Sequence, residues 1–572
     1  MTQDHVDDGD APTATKSPET APEPSPGAGR LTWLRRHRRG LFHLVVVALL
    51  AEMAVAMVTA AVQQTPTTDE PVYVGTAVVY LQQHSLRYNA EHPPLGKLII
   101  GVGLAFARPR LDPAFVGDHW ALGQRVLYDS GNDPGRLMVL ARLPVILLTL
   151  LFGLVVFAFA WDLAGPAGGL VALVLYAFSP DVIAHGSLAT LDVPAAGFLV
   201  TALWLAWRAR RRPGRYLPLA GLALGAALAT RMSVLPAVPV LLLVVVLAVW
   251  HADRSRRVLE RGVLRLVARG VLAAFGVGVI AVAVVWASYL AVDPRLGWVT
   301  PPDVPGLPGL RALAVDWLPF PRPYRDGMRI QFGFEDGTFG GFLFGRQYQG
   351  SLWYYLPAAL LVKTPLGALV LWLTGAATML AVRRLRPAAP FVLLPALVLL
   401  LAALPGARDF GVRYVIILPM LLPVAAAAVV TLRPHRVHLA VGGLLAFVAI
   451  SSMSTFPYYL PYSNEAFGGP AKTYLRLHDS NVDWGQDLGR LADRLRADYR
   501  GQTIWLVYKG NGDPDYYGIV AGDPRTVPAA QVHGVLAISD DAIDKADAQL
   551  KSLIATSTPI DEVGHSITIF RR

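Results

Sequence analysis

At 572 residues the chain is long enough for several soluble domains, yet 54% of it is apolar and only 16% charged, and uncharged runs such as 238–250 and 390–404 recur. That composition excludes a string of ordinary soluble domains and a disordered polymer, and the alternating ten-residue segments of a membrane β-barrel are absent. The formal charge of +10 invites a nucleic-acid reading until its distribution is seen, and with no cysteine there is no disulfide framework, thiolate metal site or cysteine nucleophile.

Residues 1–29 carry five prolines, six acids and almost no large aliphatic side chain, so 1–34 reads as a disordered cytoplasmic tail. It lacks the charged start and cleavage pattern of a secretory signal. Arg35, Arg36, Arg38 and Arg39 precede the first apolar run and should stay in the cytoplasm. From there hydropathy predicts eleven spans: 41–62, 137–162, 167–180, 190–207, 216–230, 234–250, 268–290, 352–381, 389–405, 413–431 and 438–456.

Charge offers an independent check. The stretches 35–39, 208–215, 254–269, 383–386 and 433–436, with the residues bordering them, hold twenty arginines against two acids, Asp253 and Glu260. They alternate with the spans as inner loops should. The chain is thus expected to be an all-α polytopic membrane protein, with a transmembrane domain over 35–456 and outer segments at 63–136 and 291–351. The texture changes at 457–572, where a helical stretch (484–499) and strand-like runs (503–508, 532–538, 566–570) predict a small extracytoplasmic α/β domain. Its fifteen acids exceed its twelve bases, which excludes a polyanion-binding module.

Chemistry-bearing residues gather on the outer side. Thr68-Asp69-Glu70-Pro71 follows the first span and reads either as a pair of carboxylates available for general-base work or as a helix N-terminus. Glu91-His92-Pro93-Pro94-Leu95-Gly96-Lys97 is a stiff turn that fixes His92 and Lys97, or a plain entry to an interfacial helix whose lysine snorkels. Asp192 starts the fourth span, Arg231 ends the fifth, Lys363 sits inside the eighth, and Arg413-Tyr414 opens the tenth after Arg408-Asp409. Each reads as a functional charge or as half of a structural ion pair, and Glu52 in the first span has no evident partner. Several arginines about one outer site suit a phosphate, and with no GxxxxGK[ST] loop that phosphate belongs to a lipid rather than to a nucleotide. Phe342, Phe344, Tyr348, Trp353, Tyr354 and Tyr355 form an aromatic cluster, either an interfacial belt or the lining of a carbohydrate or lipid site. No HExxH or comparable metal spacing occurs.

With these residues assembled, the chain resembles the lipid-carrier-dependent glycosyltransferases of the GT-C fold, in particular the protein O-mannosyltransferase and family 39 group. The Asp-Glu pair, HPPLGK, LATLD, the Thr-Arg turn, Arg413-Tyr414 and the segment 456–488 (FPYYLPYSNEAFGGPAKTYLRLHDSNVDWGQDL) carry the resemblance over roughly 40–490. It implies Asp69 as catalytic base with Glu70 its neighbour, and His92, Lys97, Arg231 and Arg413 around the donor phosphate. Asp192 is expected near the site floor, with Lys363, Tyr414 and Tyr348 lining the site. Many relatives have lysine where this chain has Arg231, and no long insertion resembling sugar-binding repeats separates spans seven and eight.

The expected reaction moves a sugar, mannose or similar, from a polyprenyl-phosphate donor to an acceptor hydroxyl on a glycan, lipid or secreted protein, with inversion. No cofactor is required, a divalent cation near Asp69 and Asp192 stays open, and no nucleic-acid partner is expected. A transporter or flippase of lipid-linked sugars is the rival reading. The odd span count, the lack of an internal repeat and the outer crowding of charges weigh against it.

Overall fold

The computed structural model describes residues 26–255 and 263–572, so most of the expected tail, and part of the basic stretch 254–269, lie outside the described residues. The chain divides after Ala48, and the first helix, α1 (Pro26–Gln63), runs across that division. This helix starts at Pro26, within the 1–34 stretch expected as a tail.

Two helices follow in the first outer segment, α2 (Glu70–Gln83) and α3 (Pro94–Ala107), then the short α4 (His119–Gln124). The next helical interval, α5 (Pro134–Ala177), takes in two expected spans. It is interrupted at Gly165, whose φ of 76° is open to glycine without the Cβ penalty. Beyond that point the chain folds back, and the Tyr176 hydroxyl donates to the Thr149 carbonyl at 2.8 Å. Then come α6 (Pro180–Gly186), α7 (Asp192–Ala209), α8 (Pro213–Thr230), α9 (Ala237–Ser255) and α10 (Val263–Val292). The second outer segment contributes α11 (Gly309–Trp317), α12 (Arg322–Glu335) and a hairpin of β1 (Gly340–Leu343) and β2 (Arg346–Gln349) that hydropathy had not shown.

The expected eighth span is broken into α13 (Tyr355–Lys363) and α14 (Leu366–Ala381), bent by 116°. Pro365 supplies no N–H and ends the first piece. The freed carbonyls of Leu361 and Thr364 accept from Asn464 Nδ2 at 2.7 and 2.9 Å, which explains why the break is stable in an apolar setting. The helical body closes with α15 (Ala389–Ala403), α16 (Ile417–Ala426) and α17 (His435–Met453).

Helix therefore occupies every expected span. Among the described residues, five helices are long and apolar enough to cross a membrane on their own, six with the bent pair, while α3, α9 and the stretch 417–431 that begins with α16 are shorter apolar helices. Large apolar side chains such as Leu272, Phe275, Leu373 and Ile450 are exposed on the helix exteriors, as lipid-facing positions require. The protein is a multi-pass membrane protein.

The C-terminal segment folds as expected, with one more strand. Helices α18 (Leu488–Asp498), α19 (Asp540–Asp544) and α20 (Ala548–Ala555) flank a sheet of β3 (Ile504–Val507), β4 (Val535–Ser539), β5 (Thr558–Val563) and β6 (Ile567–Arg571). The sheet order is β3-β4-β6-β5, parallel only between β3 and β4. Both faces of β4 are buried: Val535 and Ala537 pack with Leu488, Leu491 and Leu495 of α18, and Leu536 and Ile538 with Leu550 and Leu553 of α20. The added strand β5 is an edge strand, largely exposed, and carries the Pro559, Asp561 and Glu562 that sequence patterns read as loop.

Candidate active site

Asp69 stands at the N-terminus of α2, but its side chain makes no capping hydrogen bond. It turns instead toward Arg413, whose Nη1 donates to Asp69 Oδ2 at 2.6 Å, with the carboxylate still 21% exposed. Asp69 Oδ1 has no donor among the described residues. The Arg413 guanidinium lies 4.4 Å from the centre of the Trp484 ring and 5.2 Å from that of Tyr414. Tyr414 in turn meets Arg231 at 5.7 Å, and Arg231 forms an ion pair with Asp192. Two Asp–Arg pairs thus share one tyrosine ring.

Asp192, Arg231, Arg413 and Tyr414 line a cavity of about 540 Å³, which Asp69 joins through its hydrogen bond from Arg413. Its polar lining includes His92, Asp192, Arg231, Gln331, Glu335 and Asp336 beside Arg413 and Tyr414, and its apolar lining includes Leu199, Val234, Leu356, Leu399, Ile416 and Ile417. Arg408 and Arg311, from the outer segments, also line it and are paired with Glu335 at 3.3 Å and Asp336 at 2.9 Å. Arg413 Nε, Arg408 Nε and His92 Nδ1 are buried with no hydrogen-bond partner among the described residues. Such orphaned polar atoms cost free energy unless something binds them, and all three belong to residues of this one cavity. Burial, and then the Arg231 charge, hold the His92 imidazole well below its ordinary range, so it is neutral.

Four expected site residues lie elsewhere. Glu70 faces away from Asp69, as neighbours on a helix must, and is fully buried. Arg142 grips it with Nε and Nη2 at 2.7 and 2.6 Å, while Thr67 and the Ala189 amide donate to the same carboxylate. Every acceptor position is used, so Glu70 anchors the Asp69 turn to Arg142 and Ala189 and is not brought to the Arg413 contact that Asp69 makes. Lys97 is also fully buried, with its ammonium donating to the Asn89 carbonyl and side chain and the His92 carbonyl at 2.7–3.1 Å. Burial pushes it down to about 7. All three donors are spent on the turn that carries His92, so Lys97 positions His92 and does not reach the cavity. Lys363 donates to the carbonyls of Leu460 and Asn481, pinning the broken helix. Tyr348 donates to Asp409 Oδ2 at 2.7 Å and ties the β1–β2 hairpin to the chain before Arg413. Neither lines the cavity.

The sequence reading missed Arg142, hidden in an apolar span, and underrated 479–488. Trp484 puts its ring under Arg413, and its carbonyl accepts from the Thr68 amide at 2.9 Å and hydroxyl at 3.1 Å. Asn511 Nδ2 donates to the Thr68 carbonyl at 2.7 Å. The C-terminal domain thereby holds the Asp69 turn. Asp69 and Asp192, near which a cation was envisaged, are each paired with an arginine, Arg413 and Arg231. Among the described residues, His478, Asp479 and Asp541 do bring ligand atoms within 4.8 Å of one another. Lys509 bridges those two aspartates at 2.6 and 3.0 Å and supplies the positive charge there.

The fold is that of a polytopic membrane protein. Residues 135–289 match the family described as dolichyl-phosphate-mannose-protein mannosyltransferase, a region that contains Arg142, Asp192 and Arg231. No curated protein matches the chain. Among solved structures, ArnT from Cupriavidus metallidurans in the apo state is similar over 92% of this chain and 97% of its own, at 15% identity and a TM-score of 0.47. The S. cerevisiae protein O-mannosyltransferase Pmt1-Pmt2 complex, bound to the sugar donor, covers 44% of this chain and 33% of its own at 18% identity and 0.33. An Archaeoglobus fulgidus oligosaccharyltransferase covers 83% and 63% at 13% identity and 0.40.

Proposed function

We propose that the protein is a glycosyltransferase that moves a sugar from a polyprenyl-phosphate carrier to an acceptor hydroxyl at the outer membrane face. The observation that carries this reading is the cavity itself, lined by many apolar side chains together with Arg231, Arg311, Arg408 and Arg413, with unpartnered Arg413 Nε, Arg408 Nε and His92 Nδ1 among its lining residues. An isoprenoid tail suits the apolar side chains and a phosphate the arginines. A guanidinium carries five N–H donors, so Arg413 holds Asp69 and still has donors for a phosphate oxygen.

In the reaction the acceptor hydroxyl oxygen attacks the anomeric carbon and its proton passes to Asp69 Oδ1. The carbon–oxygen bond to phosphate breaks with its electron pair leaving on the phosphate, whose charge Arg231 and Arg413 stabilise. Attack from the face opposite the leaving group inverts the anomeric centre. The arginines supply the positive charge, so the reading needs no cofactor, and turnover is expected to survive a chelator. Mannose or a similar sugar is the expected cargo, and a glycan, lipid or secreted protein the acceptor; the outward orientation of the cavity and of the C-terminal domain belongs to the same proposal.

The test is transfer from a polyprenyl-phosphate sugar by purified protein and by Asp69→Asn. The variant should fold, bind donor and lose at least about 100-fold in turnover, the span of general-base contributions. Full activity in a folded Asp69→Asn protein rules out this role for Asp69. Absence of sugar release from any such donor by the native chain overturns the reaction.

A further inference from the structure

Helices α7 and α8 form a hairpin whose open end carries the Asp192–Arg231 pair at the cavity. Each is 18 residues long, about 27 Å at the α-helical rise, close to the thickness of a hydrocarbon core. The closed end of the hairpin therefore lies about 27 Å from the Asp192–Arg231 pair. There a second cavity, of about 230 Å³, is lined by Asp162, Trp207, Arg208, Arg211, Arg212 and Tyr216.

Its charges do not balance. Asp162 is already engaged, with Arg208 Nε and Trp204 Nε1 each 3.0 Å from Oδ2. Arg211 and Arg212 are exposed and have no carboxylate partner among the described residues. Three guanidinium groups against one carboxylate leave the pocket at +2. Arg212 also precedes the first turn of α8 without capping it, so the positive end of that helix faces the same place. Trp207 and Tyr216 form walls that are apolar in body and polar at the edge, as is usual at the headgroup level of a bilayer.

We propose that this pocket is a binding site for the headgroup of an anionic phospholipid in the leaflet opposite the Asp69 cavity, with Arg211 and Arg212 holding the phosphate. The pocket has room for a phosphate and its glycerol, while acyl chains would run along the apolar helices. A zwitterionic lipid fits less well, because its ammonium would meet two unbalanced arginines and an aspartate already taken. The assignment is independent of the transfer reaction on the other side.

The experiment is native mass spectrometry of the full-length protein released from nanodiscs of equal phosphatidylglycerol and phosphatidylcholine. The native chain should retain phosphatidylglycerol in at least fivefold preference, and Arg211→Gln/Arg212→Gln should lose that preference. Arg383→Gln/Arg384→Gln, which removes the same charge from another exposed basic turn, should keep it. Melting gives a second readout: phosphatidylglycerol should raise the melting temperature of the native chain and not that of the Arg211/Arg212 variant. No preference in the native chain, equal retention by the Arg211/Arg212 variant, or equal loss in the Arg383/Arg384 variant each overturns the site. Inorganic phosphate that displaces the lipid at millimolar concentration and stabilises the protein equally would assign the pocket to a free anion and overturn the lipid assignment.

Discussion

Arg413 donates to Asp69 across 344 residues of sequence, Nη1 to Oδ2 at 2.6 Å, and the centre of the Trp484 ring lies 4.4 Å from the same guanidinium. The proposed base, its cationic partner and the aromatic support come from an outer turn, a membrane-helix entrance and the C-terminal domain, so the site exists only when all three are assembled.

Arg413→Lys keeps the charge but replaces a planar fork with a point donor. It cannot hold Asp69 and a phosphate in the same fixed geometry. The expected loss in kcat/KM for the donor is about 10–100-fold, roughly 1.4–2.7 kcal/mol of transition-state stabilisation. Steady-state transfer at varied donor concentration measures it, and an unchanged value removes Arg413 from the phosphate site.

Arg142→Met leaves the Glu70 carboxylate buried without its partner, and breaking such a pair costs about 3–5 kcal/mol. A large fall in melting temperature or in folded yield is expected. Glu70→Gln protein that remains folded should keep turning over. If it melts like the native chain but has lost turnover, Glu70 has a chemical role after all.

Trp484→Phe retains an aromatic face for Arg413, whereas Trp484→Leu does not. Turnover should be nearly unchanged in the first and fall about tenfold in the second, about 1.4 kcal/mol, with kcat falling more than the KM for donor changes. Equal activity in both variants, or a loss in melting temperature with unchanged kcat, counts against a positioning role.

Asp544, in α19, is buried beside Asp541 and Asp540, and burial followed by those charges pushes it up to about 9. Asp483 is pushed up to about 8, chiefly by burial. A carboxyl group whose pKa is raised on folding adds stability that is fully present below its unfolded value near 4 and is lost as pH rises through the folded value. Asp544→Asn removes that dependence, so its melting temperature should gain on the native chain between pH 5 and pH 9. Parallel curves over that interval would show that Asp544 does not titrate as its surroundings require.

Much of the architecture was legible because membrane helices are written in composition. Long apolar runs and arginine turns can be read locally, and the C-terminal strands β3, β4 and β6 announce themselves by branched and aromatic residues between turn signals. The break at Pro365 was less visible, since its stability depends on Asn464, a hundred residues away. Asp69, His92, Asp192, Arg231, Arg413 and Tyr414 were named from sequence and do come together, although the sequence could not pair them.

By itself the sequence determined that the chain is a helical membrane protein, where its helices fall, and which charged residues are too costly in apolar surroundings to be incidental. Only the tertiary structure decided what each charge does. Glu70 and Lys97 look as active as Asp69 and His92 in the sequence, yet the fold spends the first two on Arg142 and on backbone carbonyls and leaves the others with unpaired polar atoms. The physical reason is that a polar group's availability depends on which donors and acceptors surround it, and those partners arrive from distant parts of the chain.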